Sequence, residues 1–215
     1  KSANNFAITP AGNVAVKTAS PFPQAQEYKK RAYGYSVNFN GSTQRIETPA
    51  ASAANGLQLG TSDFTIECWV KAKPQAANYC NIMGSGAYKN VNYAWDLFTG
   101  TAGSQNAVLQ IYTGLDVNKT SLSIPNALNN TWNHIAITRI GDNIYAYLNG
   151  ALTSSNTLTS SNRNLNYVSP VVIGAKKDTV AGTYGGYFTG RISNVFIVQR
   201  ALYNGNFTPW KNPRT

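Results

Sequence analysis

From residue 35 onward, the chain alternates short apolar stretches with clusters of glycine, asparagine, aspartate, serine and proline. Within the stretches, apolar and polar residues alternate with the period of two that is typical of a β-strand with one buried face. Valine, isoleucine and aromatic residues are enriched in them, as expected for strands. The pattern predicts these strands: Tyr35–Phe39, Gln44–Thr48, Phe64–Lys71, Asn81–Gly84, Ala94–Phe98, Val108–Thr113, Thr120–Ile124, Trp132–Ile140, Asn143–Asn149, Val171–Gly174 and Gly190–Val198.

Two of the connections have the sequence of tight β-hairpins. Gly141-Asp142 joins two alternating runs, and Asn149-Gly150 is a strong signal for a two-residue hairpin turn. No segment shows the 3.6-residue periodicity of an amphipathic helix, so crossover helices are not expected. Many short strands without helices predict an all-β fold in which two antiparallel sheets stack as a jelly-roll sandwich.

Alternation also assigns side chains to the two faces of a strand. Ile144 and Leu148 share one face of their strand, and Tyr145 and Tyr147 share the other. The branched aliphatic face is expected to meet the opposing sheet. By the same alternation, the His134 side chain lies on the other face of its strand from the aliphatic residues next to it. One sheet is therefore predicted to carry His134, Tyr145 and Tyr147 away from the core.

Residues 1–33 differ in composition from the rest of the chain. Prolines and one basic run, Lys29–Arg31, favour an extended N-terminal arm or linker over a packed element. The short apolar stretch Val14–Val16 is compatible with one edge strand. We expect an arm over 1–33, which either anchors the domain to a neighbouring protein or is a disordered terminus, followed by a jelly-roll domain over 34–215.

The chain is basic but contains few charged residues. Eighteen lysines and arginines face eight acidic residues, which gives a net charge of +10, although charged residues are only 12% of the chain. This balance favours polyanionic partners such as acidic polysaccharide, or else describes a surface that merely lacks acid. Nucleic acid is not expected as a partner because no recognition helix or RNA-binding strand motif accompanies the basic run. Membrane insertion is not expected, since no apolar run is long enough to span a bilayer.

The two cysteines are Cys68 and Cys80. Cys68 alternates in register with Ile66 and Val70, so its thiol is predicted to be buried as a small apolar group. Two free thiols are favoured, and a disulfide between the two cysteines stays open because the sequence does not give the distance between their Cα atoms. A zinc site is not expected from two cysteines without supporting histidines.

Six segments, in this order, carry a resemblance to a known family. They are Tyr35–Ser42, Asp63–Val70, Trp132–Arg139, Ile144–Gly150, Val172–Gly174 and Phe188–Leu202. Over about residues 34 to 203 the chain resembles the laminin-G-like, concanavalin-A-like lectin jelly roll, in the version common in bacteriophage structural proteins. The resemblance implies two antiparallel sheets and a module that binds glycan or protein. The broad fold also includes glycosidases, so the site must decide between binding and catalysis.

Catalysis is not expected from the acidic residues. Glycoside hydrolysis normally uses two carboxylates that face one cleft, and enzymatic relatives in this fold place them as alternating residues of one strand. None of the eight acids lies two positions from another, and Glu67 alternates with Thr65 and Trp69. The only histidine, His134, is expected to be packed and hydrogen-bonded. Relatives with this fold often hold a structural calcium ion, and Asn40 and Ser193 stand where its usual carboxylates would be. Tight calcium binding and a cofactor are therefore not expected, and weak calcium binding there stays open.

Aromatic residues are the best candidates for function, because sugar rings stack on tyrosine and tryptophan while amides and hydroxyls bind their edges. The sheet-face candidates are Tyr145, Tyr147, Tyr112 and Trp95. The candidates for a surrounding rim of loops are Asn92, Tyr93, Lys176, Lys177, Tyr184 and Tyr187. The alternative is that these aromatic residues fill the core or make subunit contacts.

These observations predict a non-enzymatic protein of a virion surface, as a phage fibre tip or capsid decoration, whose jelly roll binds host-surface carbohydrate, neutral or anionic. The virion context rests on the resemblance alone. The alternatives are a purely structural capsid or fibre component with protein partners, and a secreted bacterial carbohydrate-binding or adhesion module. Other virion proteins are expected to contact residues 1–33, and a homo-oligomer is expected from the symmetry of such assemblies.

Overall fold

The computed structural model describes residues 7–17, 19–22, 35–85, 94–113, 118–178 and 182–210. Within these ranges the chain forms sixteen strands and no helix. The strands are β1 (Thr9–Ala11), β2 (Ala15–Lys17), β3 (Ser36–Asn40), β4 (Arg45–Ala50), β5 (Phe64–Lys71), β6 (Asn81–Ser85), β7 (Ala94–Thr99), β8 (Ala107–Thr113), β9 (Asn118–Ile124), β10 (Asn133–Ile140), β11 (Asn143–Leu148), β12 (Ala151–Thr157), β13 (Pro170–Ile173), β14 (Lys176–Asp178), β15 (Thr183–Gly185) and β16 (Thr189–Val198).

Fourteen of these strands form two antiparallel sheets. The first sheet has the order β1-β4-β13-β6-β7-β8-β9, and the second has the order β12-β11-β10-β5-β16-β3-β2. The remaining two strands, β14 and β15, pair as a separate hairpin. Two stacked sheets built from strands distant in sequence confirm the predicted all-β jelly-roll sandwich.

The core lies between the sheets and follows the period of two. From the second sheet it contains Ile66, Ile137 and Ile144, and from the first sheet Trp95 and Leu109, all essentially without solvent exposure. A fully buried aliphatic side chain contributes about 1.5–3 kcal/mol relative to an exposed one. Because alternate residues of each strand enter this core, the residues between them necessarily lie on the two outer faces.

Both predicted hairpin turns are present. Gly141 has a φ of 60° between β10 and β11, and Asn149 and Gly150 have φ values of 52° and 83° between β11 and β12. These left-handed conformations suit glycine and asparagine. The strand after the second turn, β12, was not predicted, because its sequence Ala-Leu-Thr-Ser-Ser-Asn-Thr is mostly polar. It can be polar because it forms an edge of its sheet and is largely exposed.

The N-terminal residues are packed more closely than expected. Residues 9–11 form an edge strand that pairs with β4 on the first sheet, and residues 15–17 form an edge strand that pairs with β3 on the second. Phe22 is buried and packs edge-on against Trp69, with 5.7 Å between the ring centroids. The edge strand considered possible near Val14–Val16 is present as β2, whereas β1 was not expected, and together the two strands extend both sheets. Lys29–Arg31 lie outside the described residues.

The part of the second sheet's outer face formed by β5, β10 and β11 near Tyr147 is covered by the C-terminal segment 199–210. Tyr147 points away from the main core, as predicted, but it is buried against Tyr203 and Phe207. The Leu202 N–H donates to the Thr65 hydroxyl at 2.9 Å, and the Phe207 N–H donates to the Gly150 carbonyl at 2.9 Å. These contacts fix the segment to the sheet and remove Tyr147 from the surface.

Cys68 and Cys80 are both free and buried, which confirms the prediction of two buried thiols. Burial raises the pKa of the Cys68 thiol far above its ordinary value, and burial also raises that of Cys80. Among the described residues there is no helix long and apolar enough to cross a membrane.

Candidate functional site

The outer face of the first sheet carries a set of side chains that alternation places together. Trp95 and Leu97 of β7 enter the core, so Asp96 and Phe98 lie on the outer face. Asp96 is in register with Gln110 of β8, and Phe98 is in register with Val108. In the pairing of β8 with β9, Val108 and Gln110 each face a serine, and Tyr112 faces Lys119. The resulting surface combines an apolar end with a polar and charged end.

A cleft of about 610 Å³ lies over this surface. Its lining is drawn from β6 to β9, the loop before β6, and the hairpin region that follows β13. The lining residues are Tyr79, Asn81, Phe98, Val108, Gln110, Tyr112, Lys119, Ser121, Lys176 and Gly186. We call this the first-sheet cleft. Its size is in the range of small-molecule binding clefts, which occupy roughly 300–1,000 Å³.

Asp96 organises the charged end of the first-sheet cleft. Its buried Oδ2 accepts a hydrogen bond from the Tyr112 hydroxyl at 2.5 Å and pairs with the Lys176 Nζ at 2.7 Å. Gly84 stands opposite Asp96 in the register of β6 and β7, and a Cβ there would overlap the Asp96 Oδ1. Glycine at this position therefore makes room for the carboxylate, which orients both Tyr112 and Lys176.

Tyr79 is the most exposed aromatic residue of the first-sheet cleft. Its exposed fraction is 57%, and its ring meets Phe98 edge-on with 5.8 Å between the centroids. Its φ is 55°, a left-handed conformation that is unfavourable for a bulky side chain and that persists only where the surroundings impose it. The Tyr79 N–H donates to the Gly100 carbonyl at 3.1 Å. The loop thus holds an aromatic ring in solvent at the cleft.

Asn81 contributes a buried amide to the lining. Its Nδ2 donates to the Ala175 carbonyl at 3.1 Å, and its N–H donates to the Gly186 carbonyl at 2.7 Å. Its Oδ1 is buried without a hydrogen-bond partner among the described residues. An unpaired buried acceptor is costly, typically about 1–3 kcal/mol. The amide is thus held rigidly in place while one of its polar atoms keeps its bonding capacity.

The hairpin β14–β15 is tied to the first sheet by a second ion pair. The Lys177 Nζ lies 2.6 Å from the Glu47 Oε1, and the Tyr184 hydroxyl donates to the Glu47 Oε2 at 2.6 Å. The Arg45 guanidinium lies over the Tyr184 ring, 3.5 Å from its centroid. Burial raises the pKa of Glu47, but the Lys177 and Tyr184 hydrogen bonds and the neighbouring positive charges outweigh it, so the net pKa is lowered. Since Glu47 is on β4 and Asp96 on β7, Lys177 and Lys176 anchor the hairpin on two sides.

The structure brings two of the predicted sugar-binding residues together and separates the others. Tyr112 and Lys176 both line the first-sheet cleft, with the Lys176 Nζ 5.5 Å from the Tyr112 ring centroid. Trp95 was expected on the exposed face; it lies instead in the core, where its Nε1 donates to the Tyr167 hydroxyl at 2.5 Å. Tyr184 lies beside the cleft on the Glu47 cluster.

The remaining candidates lie elsewhere. Tyr147 was expected to be accessible, but the C-terminal segment buries it, and Tyr145 is half-buried beside it on the second sheet. Both therefore belong to the opposite face of the molecule from Tyr112. Tyr93 and Asn92 lie outside the described residues. Sugar contact by any of these residues stays a prediction.

Sequence reasoning missed Tyr79, Phe98 and Gln110. Phe98 and Gln110 are detectable in principle, because the alternation that puts Trp95 and Leu97 inside requires Asp96 and Phe98 outside. Tyr79 carries no such signal. It lies in a loop, and its position over Phe98 follows only from the fold.

The residues implied in a calcium site have other partners. The Asn40 Oδ1 accepts the backbone N–H groups of Ser42, Thr43 and Gln44 at 3.0 to 3.3 Å, and so closes the turn after β3. The Ser193 hydroxyl donates to the Tyr35 carbonyl at 2.8 Å. In the described ranges, no three His, Cys, Asp or Glu side chains group in a way that could hold a metal ion.

Glu67 and His134 belong to the covered face of the second sheet. The Tyr203 hydroxyl donates to the Glu67 Oε2 at 2.7 Å, and the His134 Nε2 lies 3.6 Å from the same oxygen. The His134 ring also packs against Trp69 and Phe207. This arrangement confirms that His134 is packed and leaves Glu67 beneath the C-terminal segment. The predicted hydrogen bonding of the His134 side chain is not confirmed, since its Nδ1 is buried without a hydrogen-bond partner among the described residues.

Sequence comparison places the chain in a family. Residues 40–205 match the profile of a laminin G family described as the concanavalin A-like lectin/glucanases superfamily. This match spans well over half of the 215 residues, so the chain belongs to that superfamily. No curated protein matches the chain significantly.

Several solved toxin binding domains share the fold. The binding domain of Paraclostridial Mosquitocidal Protein 1 superposes with a TM-score of 0.66 at 16% identity, over 94% of this chain and 46% of that chain. The binding domain of Botulinum neurotoxin DC in complex with rat synaptotagmin II gives 0.64 at 12% identity, over 94% and 45%. The same neurotoxin domain in complex with SialylT gives 0.63 at 13%, again over 94% and 45%. The chain spans slightly less than half of each of these domains, and at these identities the likeness concerns the fold.

Proposed function

We propose that this protein is a non-enzymatic carbohydrate-binding domain and that the first-sheet cleft is its sugar site. The observation that carries the proposal is an exposed aromatic ring, Tyr79, held beside Phe98 at a cleft whose other end presents Tyr112 and Lys176 fixed by Asp96. Apolar rings beside fixed polar groups form the usual pattern of a sugar site.

Each part of the first-sheet cleft has a role in this binding. A pyranose ring stacks on Tyr79 and Phe98 with its C–H face. The Gln110 amide, the Ser121 hydroxyl and the Lys119 ammonium border the cleft and bond sugar hydroxyls or an acidic substituent. Among proteins of this fold, one neurotoxin domain is recorded with SialylT, and cell entry of botulinum neurotoxin type C depends on two ganglioside molecules. These precedents support glycan as the ligand class.

The way in which the described carboxylates are held supports a binding role over hydrolysis. Glu47 and Asp96 pair with lysines, Asp142 with arginines, and Asp63 accepts the Gly141 N–H, while Glu67 is buried beneath the C-terminal segment. Hydrolysis requires one carboxylic acid and one free carboxylate on a shared cleft. Of the described residues that line the first-sheet cleft none is acidic, and Asp96, which bonds to the lining residues Tyr112 and Lys176, has its charge neutralised by Lys176. We therefore place this chain on the lectin side of its superfamily.

The proposed location is the surface of a virion, as a fibre tip or capsid decoration. This rests on the resemblance of the six sequence segments to phage structural modules. Labelling of intact particles with an antibody to residues 35–210 tests it, and an absence of the protein from purified particles would favour a secreted adhesion module.

A glycan array tests the proposed function. Wild-type protein is compared with Tyr79→Asn, because asparagine tolerates the left-handed conformation but offers no ring. Tyr35→Asn is the matched control, since Tyr35 has an exposed fraction of 51% and does not line the cleft. Loss of an aromatic platform on which a nucleobase stacks costs about 1–3 kcal/mol, and we expect a loss of the same order, about tenfold in affinity, for a sugar ring.

We expect selective glycan retention by the wild type and by Tyr35→Asn, and loss of retention by Tyr79→Asn with an unchanged thermal unfolding temperature. Equal retention by all three proteins contradicts the assignment of the cleft. A folded wild type that binds no neutral or acidic glycan contradicts the proposed function itself.

A further inference from the structure

A second groove, of about 550 Å³, lies at the second sheet and carries three positive charges. It is bordered by Lys71 at the end of β5, Lys73 in the loop that follows, and Arg191 on β16. No acidic residue lines it. We call it the basic groove. Alternation places Lys71 and Arg191 on the outer face of the second sheet, since their neighbours Val70 and Ile192 are in the core.

Two of these charges are direct cross-strand partners. Arg191 is in register with Lys71 on one side and with Asn38 of β3 on the other. Like charges directly opposite each other in an antiparallel pair are destabilising. Within the described part of the chain, none of Lys71, Lys73 and Arg191 forms a salt bridge. The sheet therefore carries a like-charge pair that an added anion would stabilise.

The border of the basic groove is rigid. Gln75 is buried, and its amide accepts the Thr189 N–H at 2.8 Å and donates to the carbonyls of Thr189 and Lys73 at 3.0 and 2.8 Å. This bonding fixes the loop that carries Lys73 to the start of β16. Gly190 has no side chain to fill the bottom of the groove, and a Cβ at this position would crowd Ala72. Because this loop is already ordered, binding there costs less loop freedom.

We propose that the basic groove is a second binding site, for the carboxylate or sulfate groups of an acidic polysaccharide. Lysine and arginine supply charge-assisted donors to such groups, and the amide of Asn38, with the other polar groups of the lining, suits hydroxyls between them. None of the lining residues is aromatic, and single-stranded nucleic acids are normally held by stacking on aromatic rings. The site is independent of the first-sheet cleft, which lies on the other sheet.

The test measures retention of the folded chain on dextran sulfate, on polygalacturonate and on a single-stranded thymidine oligonucleotide. The groove variant combines Lys71→Gln, Lys73→Gln and Arg191→Gln. The control variant combines Lys17→Gln, Arg163→Gln and Arg200→Gln, which removes the same number of charges from exposed positions outside the groove. Tyr79→Asn is run beside them to separate this site from the proposed sugar cleft.

We expect the groove variant to lose about tenfold or more of its affinity for at least one acidic polysaccharide, while the control variant loses about threefold or less. Tyr79→Asn should retain this binding. We also expect the polysaccharide to raise the thermal unfolding temperature of the wild type but not of the groove variant. Equal losses in the groove and control variants would overturn the site in favour of diffuse charge attraction. Stronger, groove-dependent binding of the oligonucleotide would overturn the polysaccharide, and no binding of any probe would overturn the proposal.

Discussion

Asp96 shows how one buried residue determines the geometry of the first-sheet cleft. Its carboxylate lies on the outer face of β7, yet it is almost completely shielded because Tyr112 and Lys176 cover it. A buried carboxylate needs such donors, since an unpaired charge in the protein interior is strongly unfavourable. The same two side chains that satisfy Asp96 also line the cleft. Stability and binding geometry are therefore coupled at this residue.

The hydroxyl of Tyr112 should accordingly contribute to stability. We expect Tyr112→Phe to lower the free energy of unfolding by about 1.5–3 kcal/mol, because it removes a hydrogen bond to a charged, buried group. The matched control is Tyr145→Phe on the second sheet, for which we expect a change below about 0.5 kcal/mol. Urea denaturation at neutral pH measures both. A loss for Tyr112→Phe no larger than the small one expected for Tyr145→Phe would show that Asp96 does not depend on the tyrosine.

At the scale of elements, the hairpin β14–β15 is held on the first sheet by Lys176 and Lys177. Each lysine reaches a carboxylate on a different strand, Asp96 on β7 and Glu47 on β4. Burial opposes ionisation of Glu47, but its hydrogen bonds and the adjacent cations lower its pKa below the ordinary value of 4.5. Burial also opposes ionisation of Lys177, but the bonds to Glu47 and Tyr184 raise its pKa above 10.5.

These shifts predict how the attachment of the hairpin depends on pH. A lowered carboxylate pKa gives stability that is complete above the unfolded-state pKa and is lost as pH falls through the folded-state pKa. We expect Glu47→Gln to destabilise the protein by about 1–2 kcal/mol at neutral pH. The difference from the wild type should shrink as pH falls below 4.5 and vanish only once pH has passed the lower, folded-state pKa of Glu47. In a Lys177→Gln background the same substitution should cost much less. Urea denaturation between neutral and acidic pH checks this; a difference that persists in acid would assign the effect to lost packing.

Two other parts of the molecule show what the alternation of apolar and polar residues can predict and what it cannot. β10 and β11 were predictable because an apolar residue occurs at every second position and a tight turn joins them. The C-terminal segment 199–210 was not predictable as a cover for the second sheet. Its contacts with Tyr147 depend on Tyr203 and Phe207, whose rings stack with 3.5 Å between centroids, and no periodic pattern marks such irregular backbone.

For the whole molecule, the sandwich follows from the sequence, but the choice of its functional face does not. Alternation shows that Tyr112 and Tyr147 both point away from the core, and it treats them alike. The difference arises from distant parts of the chain. The C-terminal segment covers Tyr147, whereas the loop that carries Tyr79 and the β14–β15 hairpin border Tyr112 and leave a cleft. Packing between elements remote in sequence, which local pattern does not encode, therefore decides which tyrosine faces a cleft.

The two proposed sites lie on different sheets with the closely packed core between them. Because the basic groove and the first-sheet cleft share no lining residue, we expect them to be occupied independently. A neutral glycan selected on the array should change the affinity for dextran sulfate by less than about twofold when it saturates the cleft, since uncoupled sites have no interaction free energy.

The salt dependence of binding should also differ between the two sites. Dextran sulfate binding should fall steeply between low and moderate ionic strength, because screening weakens exposed charge interactions, while neutral glycan binding should hardly change. Calorimetric titration of each ligand with and without the other measures this. Competition between the two ligands would mean that one surface binds both, and the assignment of separate sites would then be wrong.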